Sequence, residues 1–256
     1  MPKKSEDVRT IRPIIANGKT KLADIDTRST CSFNGDKAAS VAILAQMNAQ
    51  LVELQNVLYA EHKHKVLVVL QAMDTGGKDG VIRKVFSGIN PLGIHVASFK
   101  APTAAELDHD YLWRVHSRVP AKGEMVVFNR SHYEDVLITR VEGWIDDRTA
   151  KRRYRQINEF EAMLAEEGTI ILKFFLHISR DEQRQRLQDR LDDKAKTWKF
   201  NPNDLKARAK WNDYQRAYED AINATASPHA PWHIVPADRN WVRDLRSEER
   251  RVGKEC

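Results

Sequence analysis

Short apolar runs alternate with longer segments of helical periodicity along most of this chain. From Lys37 to about His62, apolar residues recur at helical spacing, which predicts an amphipathic helix. The next segment, Lys65–Gln71, is a continuous β-branched and leucine run, typical of a strand buried on both faces of a parallel sheet. Further strands are predicted at Ile94–Phe99, Glu124–Phe128, Thr169–Ile178 and Trp232–Val235, and helices at Val81–Ser87, Ala104–Val119, Arg148–Glu167, Arg180–Leu191 and Asn203–Asn223. This alternation predicts an α/β fold, a three-layer αβα sandwich around a parallel five-stranded sheet.

The same pattern predicts one main domain. Residues 1–36 mix charges, proline and glycine with little periodicity, so we expect an extended N-terminal arm over the domain surface. Residues 37–245 contain no internal repeat and no low-complexity linker, and we assign them to a single domain. Residues 246–256 resemble the translation of a sequencing-adaptor oligonucleotide, so we expect a non-native tail and a missing native C-terminal segment; an ordinary charged tail is the alternative.

Composition indicates the cellular compartment of the protein but does not identify its binding partner. The 256 residues include 42 Lys and Arg against 36 Asp and Glu, a net charge of +6 that suits nucleic acid, phosphorylated metabolites or another polyanion. The two cysteines, Cys31 and Cys256, stand near opposite ends, which excludes a disulfide framework and predicts a cytoplasmic setting. Apolar runs fall far short of the roughly 20 residues of a membrane span, so we expect no membrane partner. The nine histidines show no metal-ligand spacing with a carboxylate partner.

A glycine-rich turn follows the first buried strand, in the segment from Asp74 to Gly80. Such a turn at a helix N-terminus presents backbone N–H groups to an anion, and Lys78 adds a full charge. Compared with the pattern G-x-x-x-x-G-K-[ST], Ala72 replaces the first glycine and Asp79 replaces the hydroxyl residue that usually binds Mg²⁺. Asp74 is therefore the candidate metal ligand. A plain glycine-rich loop remains the alternative.

A second polar cluster follows the strand that ends near Phe128. The carboxyl ends of strands line the ligand crevice of a doubly wound sheet, so Asn129, Arg130 and Glu134 should lie beside the phosphate loop. Arg130 is suited to fork onto phosphate oxygens. A surface turn with a Glu–Arg salt bridge is the alternative.

Much of the positive charge is local. Residues 180–216 contain eleven cations against seven anions, interleaved with Trp198, Phe200 and Trp211. Asn201 and Pro202 divide this segment into two helices, which predicts a lid that closes over transferring phosphoryl groups and excludes water. We expect Trp198 and Trp211 to pack beneath the lid. Solvated helices also carry such charges.

Six motifs together resemble one family, the polyphosphate kinase 2 family. They are Gln71–Gly80, Asn90–Gly93, Ser98–Thr103, His109–Arg114, Phe128–Asp135 and Trp198–Asn201, in the family's order and spacing, within a likeness from about Ile14 to Leu245. The resemblance implies a thymidylate-kinase-like P-loop kinase fold with a lid. It also implies transfer of a phosphoryl group from inorganic polyphosphate to AMP or ADP, and back from ATP, with Mg²⁺ or Mn²⁺ as cofactor in a homo-oligomer, a dimer or tetramer.

Motif matching also assigns roles. The resemblance implies that Asp74 and Lys78 act in the phosphate loop, Asn129 and Arg130 at the second strand end, and Arg186 or Arg184 in the lid. Phosphate contacts are expected from Thr75, Gly76, Gly77, Lys78, Asp79, Gly80, Arg184, Arg190, Lys199 and Arg208. Nucleotide contacts are expected from Phe99, Lys100, Pro102, Arg114, Arg118, Tyr133 and Glu134. The residues Asn129 and Glu134 resemble the branch that phosphorylates both AMP and ADP.

Two other functions fit parts of the sequence. An ATP-dependent nucleoside monophosphate kinase of the same fold would need a base pocket for its donor. A nucleic-acid-binding module would need the lid aromatics exposed along a groove. We expect no nucleic-acid partner.

Overall fold

The computed structural model describes residues 14–30 and 33–252; the expectations for Cys31 and Cys256 lie outside these residues. The strands are β1 (Ile14–Ile15), β2 (Lys65–Ala72), β3 (Ile94–Ser98), β4 (Met125–Asn129), β5 (Thr169–His177) and β6 (Trp232–Pro236). The α-helices are α1 (Lys37–Glu61), α2 (Lys78–Val85), α3 (Ala104–Leu107), α4 (Trp113–His116), α5 (Ile138–Val141), α6 (Asp147–Glu166), α7 (Arg180–Asp192), α8 (Pro202–Ala209), α9 (Trp211–Thr225) and α10 (Asn240–Val252). Short 3-10 turns occur at Leu22–Asp24, Pro91–Gly93, His132–Val136 and Thr197–Lys199.

The strands form one sheet in the order β1-β6-β5-β2-β4-β3. Strands β2 to β6 are parallel to one another, as predicted. The expected count of five strands was wrong, because Ile14 and Ile15 add an antiparallel strand on β6. Strand β1 supplies hydrogen-bond partners to what would otherwise be the exposed edge of β6. Two residues are too few to produce a recognisable strand pattern in an otherwise aperiodic segment.

Helices cover both faces of the sheet. The crossover from β2 through α2 leads toward β3, whereas those through α6 and α9 lead in the opposite direction, to β5 and β6. Because crossovers between parallel strands are right-handed, the two directions place α2 on one face and α6 with α9 on the other. Helix α10 follows β6 and packs against α1 and α2. The three-layer sandwich predicted from the sequence is therefore present.

Strand β2 forms the centre of the core. Seven of its eight residues are buried, and it lies between β4 and β5. The continuous apolar run that predicted this strand is what a position between two other strands and two helical layers requires.

Two predicted helices are divided in the structure. The segment Ala104–Val119 forms α3 and α4, separated by a turn in which the carboxylate of Asp110 accepts a hydrogen bond from the backbone N–H of Leu112 at 2.9 Å. Aspartate side chains compete with helical hydrogen bonding in this way. The segment Asn203–Asn223 is divided at Lys210, between α8 and α9.

The last helix runs past the predicted domain boundary. Helix α10 continues through residue 245 to Val252, while residues 253–256 lie outside the described part of the chain. The non-native origin of residues 246–256 stays a prediction. None of the helices in the described ranges has the length and apolar character needed to cross a bilayer.

Candidate functional site

The phosphate loop joins the central strand β2 to the N-terminus of α2. Its turn is closed by a hydrogen bond from the N–H of Gly76 to the carbonyl of Met73 at 2.9 Å. A Cβ on Gly76 would lie 2.8 Å from that carbonyl oxygen, so the turn excludes any side chain there. Gly77 has a φ of 98° and precedes the first helical residue, Lys78. The loop thus has the strand–turn–helix geometry that directs backbone N–H groups toward an anion.

The second strand end meets this loop because β2 and β4 are in register. Leu70 pairs with Asn129, so the chain leaves β4 beside the loop. The side-chain amide of Asn129 donates to Asp79 at 2.9 Å, and Nη2 of Arg130 donates to Asp74 at 3.1 Å. The expected proximity of the two clusters is confirmed.

Backbone strain is concentrated at these two strand ends. Three non-glycine residues in the described ranges have a positive φ, and two of them are Thr75 and Arg130, each at 63°. Such conformations cost on the order of 1–3 kcal/mol and persist where surrounding structure imposes them. Their position at one cleft is typical of a functional site.

Charges at the cleft act on one another over short distances. Burial lowers the pKa of Lys78 and Arg130 lowers it further, whereas Asp74 and Glu134 raise it. Burial raises the pKa of Glu134, against the effect of Arg130 and Lys78. Arg130 lies 3.9 Å from Glu134 and 3.1 Å from Asp74, so two carboxylates hold its guanidinium. Lys78 and Arg130 repel each other, a repulsion that an anion between them would relieve.

The lid approaches the loop from α7 and α8. Arg186 donates to the carbonyl of Thr75 at 3.0 Å and to Glu182 at 2.8 Å. Arg190 donates to Asp204 of α8 at 3.1 Å. Burial raises the pKa of Asp204 and the nearby Asp74 raises it further. The lid therefore brings both a guanidinium and a carboxylate to the phosphate loop.

These elements enclose a cleft of about 790 Å³. The predicted site residues that line it are Asp74, Thr75, Gly76, Gly77, Lys78, Asp79, Gly80, Phe99, Lys100, Asn129, Arg130, Arg186, Arg190 and Lys199. Phe99 is the one aromatic side chain among the described residues of the lining.

Other predicted site residues lie outside this lining. Arg184 and Arg118 are exposed, and Arg208 donates to the carbonyl of Arg180 at 2.6 Å on the lid. Pro102 is half-buried beyond the lining residue Ala101.

Two of the predicted nucleotide-binding residues support the lining from behind. Arg114 is buried and donates to the carbonyl of Lys100 at 2.8 Å, so it fixes the segment that carries Phe99. Glu134 pairs with Arg130, as described above.

Tyr133 does not reach the cleft, contrary to the expected nucleotide contact. Its side chain is fully buried, and its hydroxyl donates to Glu161 at 2.8 Å. Lys173 donates to that hydroxyl at 2.9 Å and pairs with Glu161 at 2.6 Å. Tyr133 is thus part of a buried polar network between β5 and α6. Nothing in its local motif shows whether its side chain points into this network or toward the cleft.

The lid tryptophans differ from each other. Trp211 is buried, as expected, but the prediction that Trp198 packs beneath the lid was wrong, since it is 78% exposed. Trp198 stands on the 3-10 turn between α7 and α8, where its indole N–H donates to the carbonyl of Ala195 at 2.9 Å. A local hydrogen bond and Lys199 over its ring leave it directed to solvent.

The cleft also contains residues that were not predicted as site residues, among them Arg83, Asp204, Asn240 and Arg243. Asn240 and Arg243 come from α10, at least 160 positions after the phosphate loop, so no local motif signals them.

Comparison with known proteins gives consistent matches. The family model described as Polyphosphate kinase 2 (PPK2) matches residues 34–252. The AMP/ADP-polyphosphate phosphotransferase of Meiothermus ruber is 58% identical over 228 residues, which cover 89% of this chain and 85% of that protein. The ADP-polyphosphate phosphotransferase of Rhodopseudomonas palustris is 49% identical over 201 residues, covering 74% of this chain and 70% of that protein. The crystal structure of polyphosphate kinase 2 from Arthrobacter aurescens TC1 matches with a TM-score of 0.90 and 46% identity, over 92% of this chain and 84% of that one.

Proposed function

The chain belongs to the polyphosphate kinase 2 family, and we propose that it transfers the terminal phosphoryl group of inorganic polyphosphate to AMP and ADP, and catalyses the reverse reaction. One observation carries the proposal: Asp74, Lys78 and Arg130 converge at the ends of β2 and β4, in one cleft with the lid residue Arg186. Phosphoryl transfer depends mainly on positioning and charge stabilisation, which this group of residues supplies.

The loop and its neighbours divide the chemistry between them. The N–H groups of Gly77 and Lys78 and the Lys78 ammonium hold the phosphoryl group in transfer, because its equatorial oxygens carry the developing charge. Arg130 exchanges part of its pairing with Asp74 for phosphate oxygens, and Arg186 contributes from the lid. The terminal phosphate oxygen of the nucleotide then attacks in line, while the closed lid excludes water as a competing acceptor.

The acceptor side of the cleft lies at the ends of β3 and β4. Phe99 is tied to β4 by a hydrogen bond from its N–H to the carbonyl of Asn129 at 3.1 Å. Phe99 and Lys100 both line the cleft, so this side offers an apolar residue and a cation to a nucleotide. Asn129 and Glu134 favour use of both AMP and ADP, in line with the Meiothermus ruber relative, an AMP/ADP-polyphosphate phosphotransferase.

Mg²⁺, for which Mn²⁺ would substitute, is part of the proposal. The donor set consists of carboxylate oxygens, which this hard cation prefers, and Asp74 is the ligand that the loop provides. The mutual repulsion of Asp74 and Asp204 is relieved by a cation near them. No group of three or more His, Cys, Asp or Glu side chains in the described part of the chain is arranged to hold a metal. Asp74 would hold the ion together with substrate phosphates, which would supply its other ligands. When bound, the ion neutralises charge on those phosphates.

We further propose that the enzyme is a cytoplasmic homo-oligomer, a dimer or a tetramer. Strand β3 forms one edge of the sheet, and the nearby side chains of Leu92 and Val96 are 68% and 49% exposed. An apolar sheet edge of this kind is suited to burial against another subunit. Light scattering coupled to gel filtration tests the assembly, and a monomer at assay concentrations contradicts it.

A donor and acceptor matrix tests the proposed reaction. Purified protein is assayed with polyphosphate or ATP as donor and with AMP or ADP as acceptor, each with Mg²⁺, Mn²⁺ or excess chelator. We expect polyphosphate-dependent formation of ADP and ATP that chelation abolishes. Transfer to AMP from ATP alone would instead support a nucleoside monophosphate kinase. Tight single-stranded DNA binding that polyphosphate cannot displace would support a nucleic-acid-binding module.

A further inference from the structure

Helix α10 brings a buried arginine into direct contact with the phosphate loop. Arg243 is 5% exposed, and its guanidinium lies against the backbone of Gly77 and Gly80. A Cβ on Gly77 would overlap Nη1 of Arg243 and stand 2.9 Å from its Cζ, while a Cβ on Gly80 would stand 2.8 Å from Nη2. Both glycines are therefore needed for this approach, in addition to the positive φ of Gly77.

The guanidinium is held in place by its own helix. Nε donates to Asp244 at 2.9 Å and Nη2 at 2.5 Å, and Nη1 donates to Asn240 at 2.8 Å. Within the described part of the chain these bonds use three of its five N–H groups. One N–H on each of Nη1 and Nη2 makes no hydrogen bond to the described residues, and Arg243 is among the residues that line the cleft. A planar guanidinium of this kind suits phosphate oxygens.

Positive charge is in excess at this place. Burial lowers the pKa of Arg243, Asp244 raises it, and Arg186 and Arg83 both lower it again. All three arginines line the cleft. Glu182 pairs with Arg186 and Asp244 pairs with Arg243, but the three guanidinium groups still repel one another, and an anion between them relieves this repulsion.

Sheet topology decides which substrate lies there. Phe99 and Lys100 follow β3, on one side of the phosphate loop, whereas Arg186 and Arg243 belong to helices that follow β5 and β6, on the other. The described lining residues of the β5 and β6 side include no aromatic ring to hold a base. That side is suited to an inorganic polyanion rather than to a nucleoside.

We infer that Arg243, held by Asp244 and Asn240, binds the donor polyphosphate next to the phosphate loop, at phosphoryl groups beyond the one transferred. This inference rests on the proposed function. It assigns a residue that binds the donor substrate, polyphosphate, to helix α10, outside the phosphate loop and the lid. Because nucleotide occupies the other side of the cleft, loss of Arg243 affects binding of the donor and not of the acceptor.

Steady-state kinetics test the inference with Arg243→Gln and the matched control Arg239→Gln, an exposed arginine one turn earlier that does not line the cleft. We expect Arg243→Gln to raise KM for polyphosphate by about tenfold or more, the effect of losing one charged hydrogen-bonding group, with KM for nucleotide changed by less than about twofold. The control should change neither. An unchanged KM for polyphosphate, or equal increases for both substrates, would overturn the inference.

A second variant and a second measurement separate binding from folding and from turnover. Arg243→Gln leaves Asp244 buried without its partner, so Arg243→Gln/Asp244→Asn removes the ion pair as a unit and should show the same KM pattern. Thermal unfolding with polyphosphate and no nucleotide reports donor binding without catalysis. We expect polyphosphate at a fixed concentration to raise the Tm of the wild type more than that of the double variant, while nucleotide stabilises both equally. If the wild type binds polyphosphate without transferring it, the proposed function fails and the inference stands; equal Tm shifts in both proteins overturn the inference alone.

Discussion

Gly77→Ala places a methyl group at the most crowded point of the phosphate loop. Gly77 has a φ of 98°, where an L-residue costs about 1–2 kcal/mol. The added Cβ would also overlap the Arg243 guanidinium, which is fixed by Asp244 and Asn240. Losing one hydrogen bond to a charged group costs about a further 1.5–3 kcal/mol. We therefore expect the free energy of unfolding to fall by about 2.5–5 kcal/mol in total.

Gly168→Ala is the matched control for the cost of placing an alanine at a residue with a positive φ. Gly168 has a φ of 84°, and a Cβ there would meet nothing within 4 Å. It lies between α6 and β5, away from the cleft, so the control should lose about 1–2 kcal/mol and retain activity. The difference between the two variants isolates the cost of displacing Arg243.

Denaturant unfolding and phosphoryl-transfer kinetics together check this reasoning. Gly77→Ala should lower kcat/KM on the order of 100-fold, because the loop N–H groups would no longer donate hydrogen bonds to the transferred phosphoryl group. In an Arg243→Ala background, the stability cost of Gly77→Ala should fall to that of Gly168→Ala, because the overlapping group is gone. If Gly77→Ala keeps kcat/KM within about threefold of the control, or if its stability cost is the same in both backgrounds, the steric argument is refuted.

Three other changes give separate expected outcomes. Lys78→Ala should reduce kcat/KM by about 100-fold or more with the fold retained by circular dichroism, and near-full activity would sink the role given to this ammonium. Arg130→Lys keeps the charge but cannot form a planar fork, so kcat should also fall on the order of 100-fold in transfer assays. Burial alone would raise the pKa of Glu161, but Lys173 and hydrogen bonds lower it on balance below 4.5. The Glu161 carboxylate therefore contributes to the free energy of unfolding above pH 4.5, and this contribution is lost as the pH falls through its lowered pKa. Glu161→Gln should remove this part of the acid dependence in a Tm-against-pH series, and an unchanged acid limb would contradict it.

The local sequence pattern was sufficient to predict the parallel strands of the sheet and the phosphate loop. The run Lys65–Gln71 predicted β2 to within one residue, because a strand buried on both faces is mostly apolar along its whole length. The loop was equally recognisable, since strand, glycines and Lys78 are contiguous in sequence. Pattern was insufficient at Ala104–Val119, where the carboxylate of Asp110 accepts a hydrogen bond from the N–H of Leu112 and so competes with the helix.

The amino-acid sequence by itself determined the fold class, the family and the phosphate-binding ends of β2 and β4, because each is encoded in contiguous residues. Only the tertiary structure decided which charged side chains face the cleft. It directs Arg186 and Arg190 inward and leaves Arg184 exposed, buries Tyr133 in a polar network, and turns Trp198 to solvent. It also carries Arg243 to the phosphate loop from the far end of the chain. Such placements depend on helix rotation and packing between distant segments, which no local window of sequence contains.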